Sequence, residues 1–325
     1  MRYITPDDII DTYQKIAQRG LGFIMSKLTH DQLSRTKSAF DNTAVQSANW
    51  WIVPEVKRRW NRLITGRPDQ GYEDYVVANY LEGMSGIRML SIGSGMCSHE
   101  IAFAQYPVFD RITCVDIADN LLEQAAAKAE QLGLSNMEFT AQDVYTASFS
   151  PGGYDVVLFH SSLHHFEGIE HLLLDRVSKW LRPGGLIIIN EYVGVDRLQF
   201  SEVQLEWINK GLRSLPTRLK RRYKSRLVKH RYYGSGYWRM ILADPSECVE
   251  SSQILPVLRA HFEVVVERPM GGNLLMNILK DIAHNFTDPT DAEAQQALQA
   301  LMALEDEYLA SYDSDFMFGI YKSRR

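Results

Sequence analysis

The chain has 325 residues, 45% of them hydrophobic and 23% charged, with a net charge of −5; this is the balance of a globular enzyme and excludes disordered, collagen-like and membrane-embedded chains. Cys97, Cys114 and Cys248 are odd in number and widely spaced. They therefore exclude a disulfide framework and a paired-cysteine zinc site, read as free thiols in a reducing compartment, and leave no metal site expected.

The N-terminal MRYITPDDIIDTYQKIAQRG carries acids where a signal peptide needs an apolar run, and no later stretch approaches the length of a membrane span, so a cytoplasmic location is expected. Helical patterns follow over Pro6–Gln18, His30–Phe40, Pro54–Ile64 and Tyr72–Leu81, with little strand signal, and residues 1–86 read as a helical cap. From Ile87 short apolar strands alternate with helices. Ile87–Ile92 is a strand ending in a glycine turn, Ser98–Gln105 a helix, Arg111–Ile117 a strand rich in β-branched residues, and Asn120–Leu132 an alanine-rich helix. Met137–Thr140 and Tyr154–His160 are strands. His171–Leu181 is a helix ended by Pro183-Gly184-Gly185, and Leu186–Asn190 is a fully apolar strand. Such strands belong to parallel sheets covered on both faces, so residues 87–325 read as a doubly wound α/β domain.

That alternation is interrupted over about 196–250 by a largely helical insertion, read as a lid. From Ile208 to Ala243 there is no acidic residue, while Arg218 to Arg231 is dense in Lys and Arg. This segment is expected either as a solvated lid helix or as a docking surface for an anionic acceptor or an acidic carrier domain. Nucleic acid is disfavoured, because the rest of the chain is acidic and no nucleic-acid module is present. Ser251–His261 then reads as a helix, Phe262–Glu267 as a strand, a helix capped by Thr290 with Glu293 follows, and Phe316–Lys322 is a last strand.

A strand running into Gly93-Ser94-Gly95 and then a helix lets backbone pass under a ligand and aims helix N-terminal amides at it. The next strand ends in Asp116, 21 residues beyond Gly95, where a carboxylate can take both hydroxyls of an adenosine ribose. NAD, FAD and S-adenosylmethionine all fit that pair. A dinucleotide is disfavoured because Ser98 stands where G-x-G-x-x-G places the glycine that seats a pyrophosphate. Gln142-Asp143-Val144, after the third strand, suits the amino group of adenine.

The succession MLSIGSGMCSHEIA, VDIADNLLEQA, AQDV, YDVVLFHSSLHHF and LRPGGLIIINEYVG, over about residues 87 to 194, resembles the signature of class I (Rossmann-like) S-adenosylmethionine-dependent methyltransferases. Outlying segments such as NWWIVPEVKRRWNRLITG resemble free-standing bacterial methyltransferases of glycan and natural-product biosynthesis. The resemblance implies a seven-stranded, mostly parallel sheet with the last strand inserted antiparallel. It implies S-adenosylmethionine as cofactor and S-adenosylhomocysteine as product, with Gly93, Ser94 and Gly95 along the methionine portion and Asp116 on the ribose. Ile117 and Val144 then lie along the adenine, Asp143 meets its amino group, and His160 and Ser161 border the sulfonium. Two positions depart from the pattern: Ser91 replaces the usual acidic residue and Cys97 the usual third glycine.

Methyl transfer needs alignment more than covalent catalysis, although an alcohol acceptor also needs a base. Glu191, His164 and His165 are the candidates for that base. Trp50, Trp51, Tyr192, Tyr237 and Trp238 are candidate substrate contacts. The expected function is O-methylation of a natural-product or sugar intermediate, anionic or carrier-tethered; N- or C-methylation of a small metabolite and a non-catalytic cofactor-binding role are the alternatives.

Overall fold

A computed structural model describes residues 1–19 and 49–324; the helix expected over His30–Phe40 lies outside the described residues. The chain divides into two compact units, a sheet unit of 70–193, 248–268 and the chain from Met317, and a helical unit of 1–69, 194–247 and 269–316.

The sheet unit is built on seven strands: β1 (Ile87–Ile92), β2 (Phe109–Asp116), β3 (Met137–Ala141), β4 (Tyr154–His160), β5 (Leu181–Tyr192), β6 (Glu263–Gly271) and β7 (Phe316–Lys322). They are ordered β3-β2-β1-β4-β5-β7-β6, so the last strand inserts between β5 and β6. The pairs β1–β2, β1–β4, β2–β3 and β4–β5 are parallel, with Ser91 opposite Cys114 and Leu158. The strand order reverses between β1 and β4, and the crevice outside their carboxyl ends is where open α/β sheets bind ligands. Leu90, Ile92, Val157, Phe159, Ile187 and Ile189 are buried in one core cluster with Leu172, Leu173 and Val177. That is why these strands read as unbroken apolar runs rather than alternating ones.

Two elements differ from the sequence reading. The helix over 169–180 is π-wound through Leu172–Val177, with Gly168 and Ile169 N–H groups capped by Glu250. The helix ends at Trp180, just before Pro183-Gly184-Gly185, but β5 already begins at Leu181, opposite Tyr154, and its register shifts across Arg182–Gly185 before Leu186 pairs with Val156. A Cβ at Gly185 would lie 3.0 Å from the Asp155 carbonyl, so another residue there would push the neighbouring backbone by a few tenths of an ångström.

The helical unit contains α1 (Pro6–Arg19), α2 (Pro54–Thr65), α7 (Glu202–Ser214), α8 (Tyr237–Ala243), α10 (Leu275–Leu279) and α11 (Ala292–Leu309); α3 (Tyr72–Tyr80), α4 (Ser98–Ala104), α5 (Asp119–Gln131), α6 (169–180) and α9 (Ile254–His261) belong to the sheet unit. Pro54 begins α2, where its missing N–H costs nothing, and Gly66 ends it at φ 82°. The cap of α11 is Asp291, accepting from Ala294 N at 3.1 Å, and not Thr290; Thr290 instead donates to Asp288. Ile208, Leu212, Leu275, Ile278, Leu298 and Leu301 form this unit's core.

The unit boundary therefore falls elsewhere than at residue 86. Residues 70–86 belong with the sheet, where Tyr72 packs on Phe103, His160 and Phe318. Residues 269–316 belong with the helices. Periodicity shows that a helix has an apolar face but not which body covers it.

The basic stretch is also not a solvated helix. It is a 3-10 turn at Thr217–Lys220 followed by irregular chain, joined by an Arg221–Val228 bridge. Arg218 pairs with Asp291 and Glu293, and buried Arg222 pairs with Asp281 at 2.6 Å. The Lys229 ammonium is buried against the carbonyls of Asn277 and Lys280, at 2.6 and 2.7 Å, and burial pushes its pKa down to about 7. Buried Arg222 and Lys229 tie their segments together, because a charge taken out of water needs carboxylates or carbonyls around it. Among the described residues, no helix is long and apolar enough to cross a membrane.

Candidate functional site

The glycine turn sits at the carboxyl end of β1. Gly93 N–H donates to Val115 O at 2.7 Å, which ties the turn to β2. Gly93 has φ 70°, and a Cβ there would lie 2.6 Å from Ser162 Cβ, so both conformation and space require glycine. At Gly95, φ is 51° and a Cβ would meet nothing within 4 Å. The turn therefore presents open space directly above its backbone. Cys97 at φ 52° closes the turn and begins α4, and its side chain is buried.

Asp116 ends β2 beside that turn. Its Oδ2 accepts from Gly95 N and its Oδ1 from Ala118 N, both at 2.8 Å. Two backbone donors hold the carboxylate in one orientation, while each oxygen keeps lone-pair capacity for a further donor. Ile117 follows, half-buried. After β3, Asp143 Oδ1 accepts from Tyr145 N at 2.9 Å, and its backbone carbonyl accepts from Thr146 and Ala147 N–H groups. Val144 is buried in the sheet core.

Ser91, in the place of the usual acidic residue, donates its hydroxyl to Glu100 Oε1 at 2.5 Å. A carboxylate is thus supplied from α4 instead of β1. Burial pushes the Glu100 pKa up, opposed by His99 and by the Ser91 hydrogen bond.

At the end of β4, His160 stacks on Tyr72 and on His99, with centroids 5.7 and 3.5 Å apart. Tyr72 Oη lies 3.1 Å from His160 Nδ1, and His99 contacts Glu73. Burial, reinforced by His99, pushes His160 well below the ordinary imidazole range, so it is a neutral wall at pH 7. Ser161, at φ 49°, donates its N–H to Asn190 O at 2.9 Å.

Beyond it, Glu191 organises the loop. Its side chain is 0% exposed; Oε1 accepts from Ser162 N at 2.5 Å and Leu163 N at 2.8 Å, and Oε2 lies 2.7 Å from His164 Nδ1. With both oxygens committed and no exposed surface, Glu191 does not offer itself to an acceptor, which corrects its place among the candidate bases. It instead holds the ring of His164 at Nδ1. His165 sits beside it, ring centroids 4.3 Å apart. Tyr192 is buried and meets His164 edge-on.

Of the other candidate substrate contacts, Trp50 is 2% exposed and packs on Trp60 and Phe316 at 4.5 and 5.1 Å. It is a core residue of the helical unit, not a substrate contact. Trp51 is 55% exposed, and Tyr237 and Trp238 both meet Tyr3. All three belong to the helical unit. The sequence reading missed Tyr72, His99, Ser162 and Glu100. Ser162 carried a signal in its place within the SSLHH loop, and His99 and Glu100 in theirs within MLSIGSGMCSHEIA.

Residues 89–185 match the methyltransferase domain family. Over 125 residues the chain is 30% identical to a hybrid PKS-NRPS synthetase of Penicillium oxalicum, covering 38% of this chain and 3% of that protein. It is 28% identical over 109 residues to phosphoethanolamine N-methyltransferase 1 of Arabidopsis thaliana, covering 33% of this chain and 21% of that one. The chain thus spans a small part of the length of these relatives. Phosphoethanolamine N-methyltransferase 2 of Haemonchus contortus, solved with S-adenosyl-L-methionine, superposes at TM-score 0.50 and 15% identity over 96% of this chain and 60% of that one. The fold is that of the class I, S-adenosylmethionine-dependent methyltransferases.

Proposed function

We propose that this chain is an enzyme that transfers a methyl group from S-adenosylmethionine to a small molecule. The observation that carries the reading is Asp116, clamped between Gly95 and Ala118 N–H groups at the switch point of the sheet, beside open space over Gly95. Those residues fit the cofactor: Asp116 offers acceptors to the ribose hydroxyls, the Gly93-Ser94-Gly95 backbone admits a chain over it, and Asp143 offers a carboxylate oxygen to the adenine amino group. His160 and Ser161 wall the space at the end of β4.

When bound, the cofactor supplies an electrophilic methyl group and its own leaving group, so the protein's task is alignment, exclusion of water and handling of one proton. His164 takes that proton from an acceptor hydroxyl. Glu191 is a positioning residue that holds the imidazole in the tautomer with the proton on Nδ1. O-methylation of a natural-product or sugar intermediate is the reading this base supports, since a neutral amine needs no such group; N- or C-methylation is the second reading. Arg221, Lys224, Arg226 and Arg231 are exposed, which suits an anionic or carrier-tethered acceptor.

Calorimetry with S-adenosylmethionine tests the cofactor assignment. Asp116→Ala removes acceptors whose charged hydrogen bonds are each worth about 1.5–3 kcal/mol, so affinity should fall at least tenfold. Unchanged affinity sinks the assignment, and thermal stabilisation by a nicotinamide dinucleotide but not by the sulfonium returns the chain to the oxidoreductases. Incubation with methyl-labelled cofactor and fractionated cell extract then identifies the acceptor. Cofactor binding without transfer to any fraction favours a non-catalytic role.

A further inference from the structure

We infer that Arg176, in the π-wound part of α6, is a positioning residue for adenine recognition, acting through the loop that carries Asp143. The inference rests on the cofactor reading above. α6 buries Leu172, Leu173 and Val177 in the sheet core, and Arg176 lies one position before the last of these, on a largely buried face where an apolar residue is the ordinary choice. Its Nη1 donates to Ala147 O at 3.1 Å and to Val144 O at 3.4 Å, and its Nε is buried with no hydrogen-bond partner. The buried Nε leaves a donor unmatched, while Nη1 is engaged on the loop.

Val144 and Ala147 are buried, and on the Arg176 side a cavity of about 490 Å³, lined among others by Ala147, Ser148, Arg176 and Trp180, borders the loop. On the other side Tyr145 Oη donates to Glu167 O at 2.5 Å. Asp143 directly precedes these anchored residues, with Oδ1 bound to Tyr145 N and Oδ2 the oxygen left for an exocyclic amino group. Arg176 bonds the carbonyls one and four residues beyond Asp143 and so sets where that second oxygen stands. A π turn is a rare and costly winding found mostly where function demands it, and here it is the segment that carries the arginine.

The test compares two ligands that differ only at the adenine amino group, S-adenosylhomocysteine and S-inosylhomocysteine, by calorimetry on the full chain. The wild type is expected to prefer the adenine ligand. Arg176→Met should weaken the adenine ligand about tenfold and leave the inosine ligand within about twofold. Arg176→Lys keeps the charge and most of the stem but has no planar fork, and should show a smaller loss of the same selectivity; it also serves if the methionine variant does not fold. Equal weakening of both ligands would make Arg176 a general fold element, and no weakening of either would remove it from recognition; each result overturns the inference. A wild type that binds neither ligand overturns the cofactor reading itself, and one that binds both equally overturns only the role of the Asp143 loop.

Discussion

Replacing Glu191 by Gln separates the fold-holding role of this carboxylate from its effect on chemistry. Oε1 accepts from two backbone N–H groups, Ser162 and Leu163, so the amide oxygen of Gln must remain on that side. The amide nitrogen then faces His164 Nδ1, 2.7 Å away in the wild type. An NH2 group only donates, so Nδ1 must become the acceptor and the ring proton must move to Nε2. The imidazole stays in place but presents a donor where the proposed base needs an acceptor.

Trading a charge-assisted hydrogen bond for a neutral one should cost about 1–2 kcal/mol of stability. A positioned base contributes about 10²–10⁴-fold to turnover, and that is the expected loss in kcat; the same wrong-tautomer logic applies to the serine-protease triad. Glu191→Ala should be worse for the fold, because two buried N–H groups lose their acceptor at about 1–3 kcal/mol each, with a cavity in addition. Urea unfolding reads the first quantity, and single-turnover transfer of labelled methyl reads the second, with cofactor affinity measured beside it. If Glu191→Gln keeps kcat within about threefold of wild type, the His164–Glu191 pair does not act as the base, and the preference for a hydroxyl acceptor goes with it.

Gly93→Ala should cost about 2–5 kcal/mol, combining roughly 1–2 for a left-handed non-glycine residue with about 1–3 for overlap with Ser162 Cβ at 2.6 Å; thermal unfolding checks it, and a loss under about 1 kcal/mol would mean the turn relaxes freely. Asp315, buried near Glu305, has its pKa raised to about 7, chiefly by burial. A folded-state pKa above the unfolded one means that stability falls as pH rises from about 4 to about 7 and levels off beyond, by up to about 4 kcal/mol; Asp315→Asn should flatten that slope in urea titrations across this range. Trp50→Ala should destabilise by about 3–5 kcal/mol, while Trp50→Phe should leave KM for the acceptor unchanged; a raised KM with unaltered melting would restore Trp50 as a substrate contact.

How much of this was legible in the chain follows from which signals are local. The apolar runs at Ile87–Ile92, Tyr154–His160 and Leu186–Asn190, with glycines or acids at their ends, are patterns that burial on both faces imposes on nearly every residue, and the strands lie where those runs are. The local geometry of Gly93 and Asp116 is likewise written in residue type, since glycine suits φ 70° beside Ser162 and a short carboxylate spans Gly95 N and Ala118 N. Long-range partnership has no such local mark. Glu191 and His164 looked like two alternative bases, although one holds the other. Ser91 looked like a lost carboxylate, although Glu100 from α4 supplies one beside it.

The amino-acid sequence by itself determined that a mostly parallel sheet forms, where its glycine turn lies and which acid follows on the neighbouring strand, because periodicity, turn chemistry and strand burial act over a few residues at a time. Only the tertiary structure decided that residues 269–316 join the helical body and that Trp50 is core. It also decided that Arg222 and Lys229 of the basic stretch are spent on internal ion pairs and carbonyls. A side chain's charge or apolar face states what it needs; which distant group meets that need is settled when the chain closes on itself.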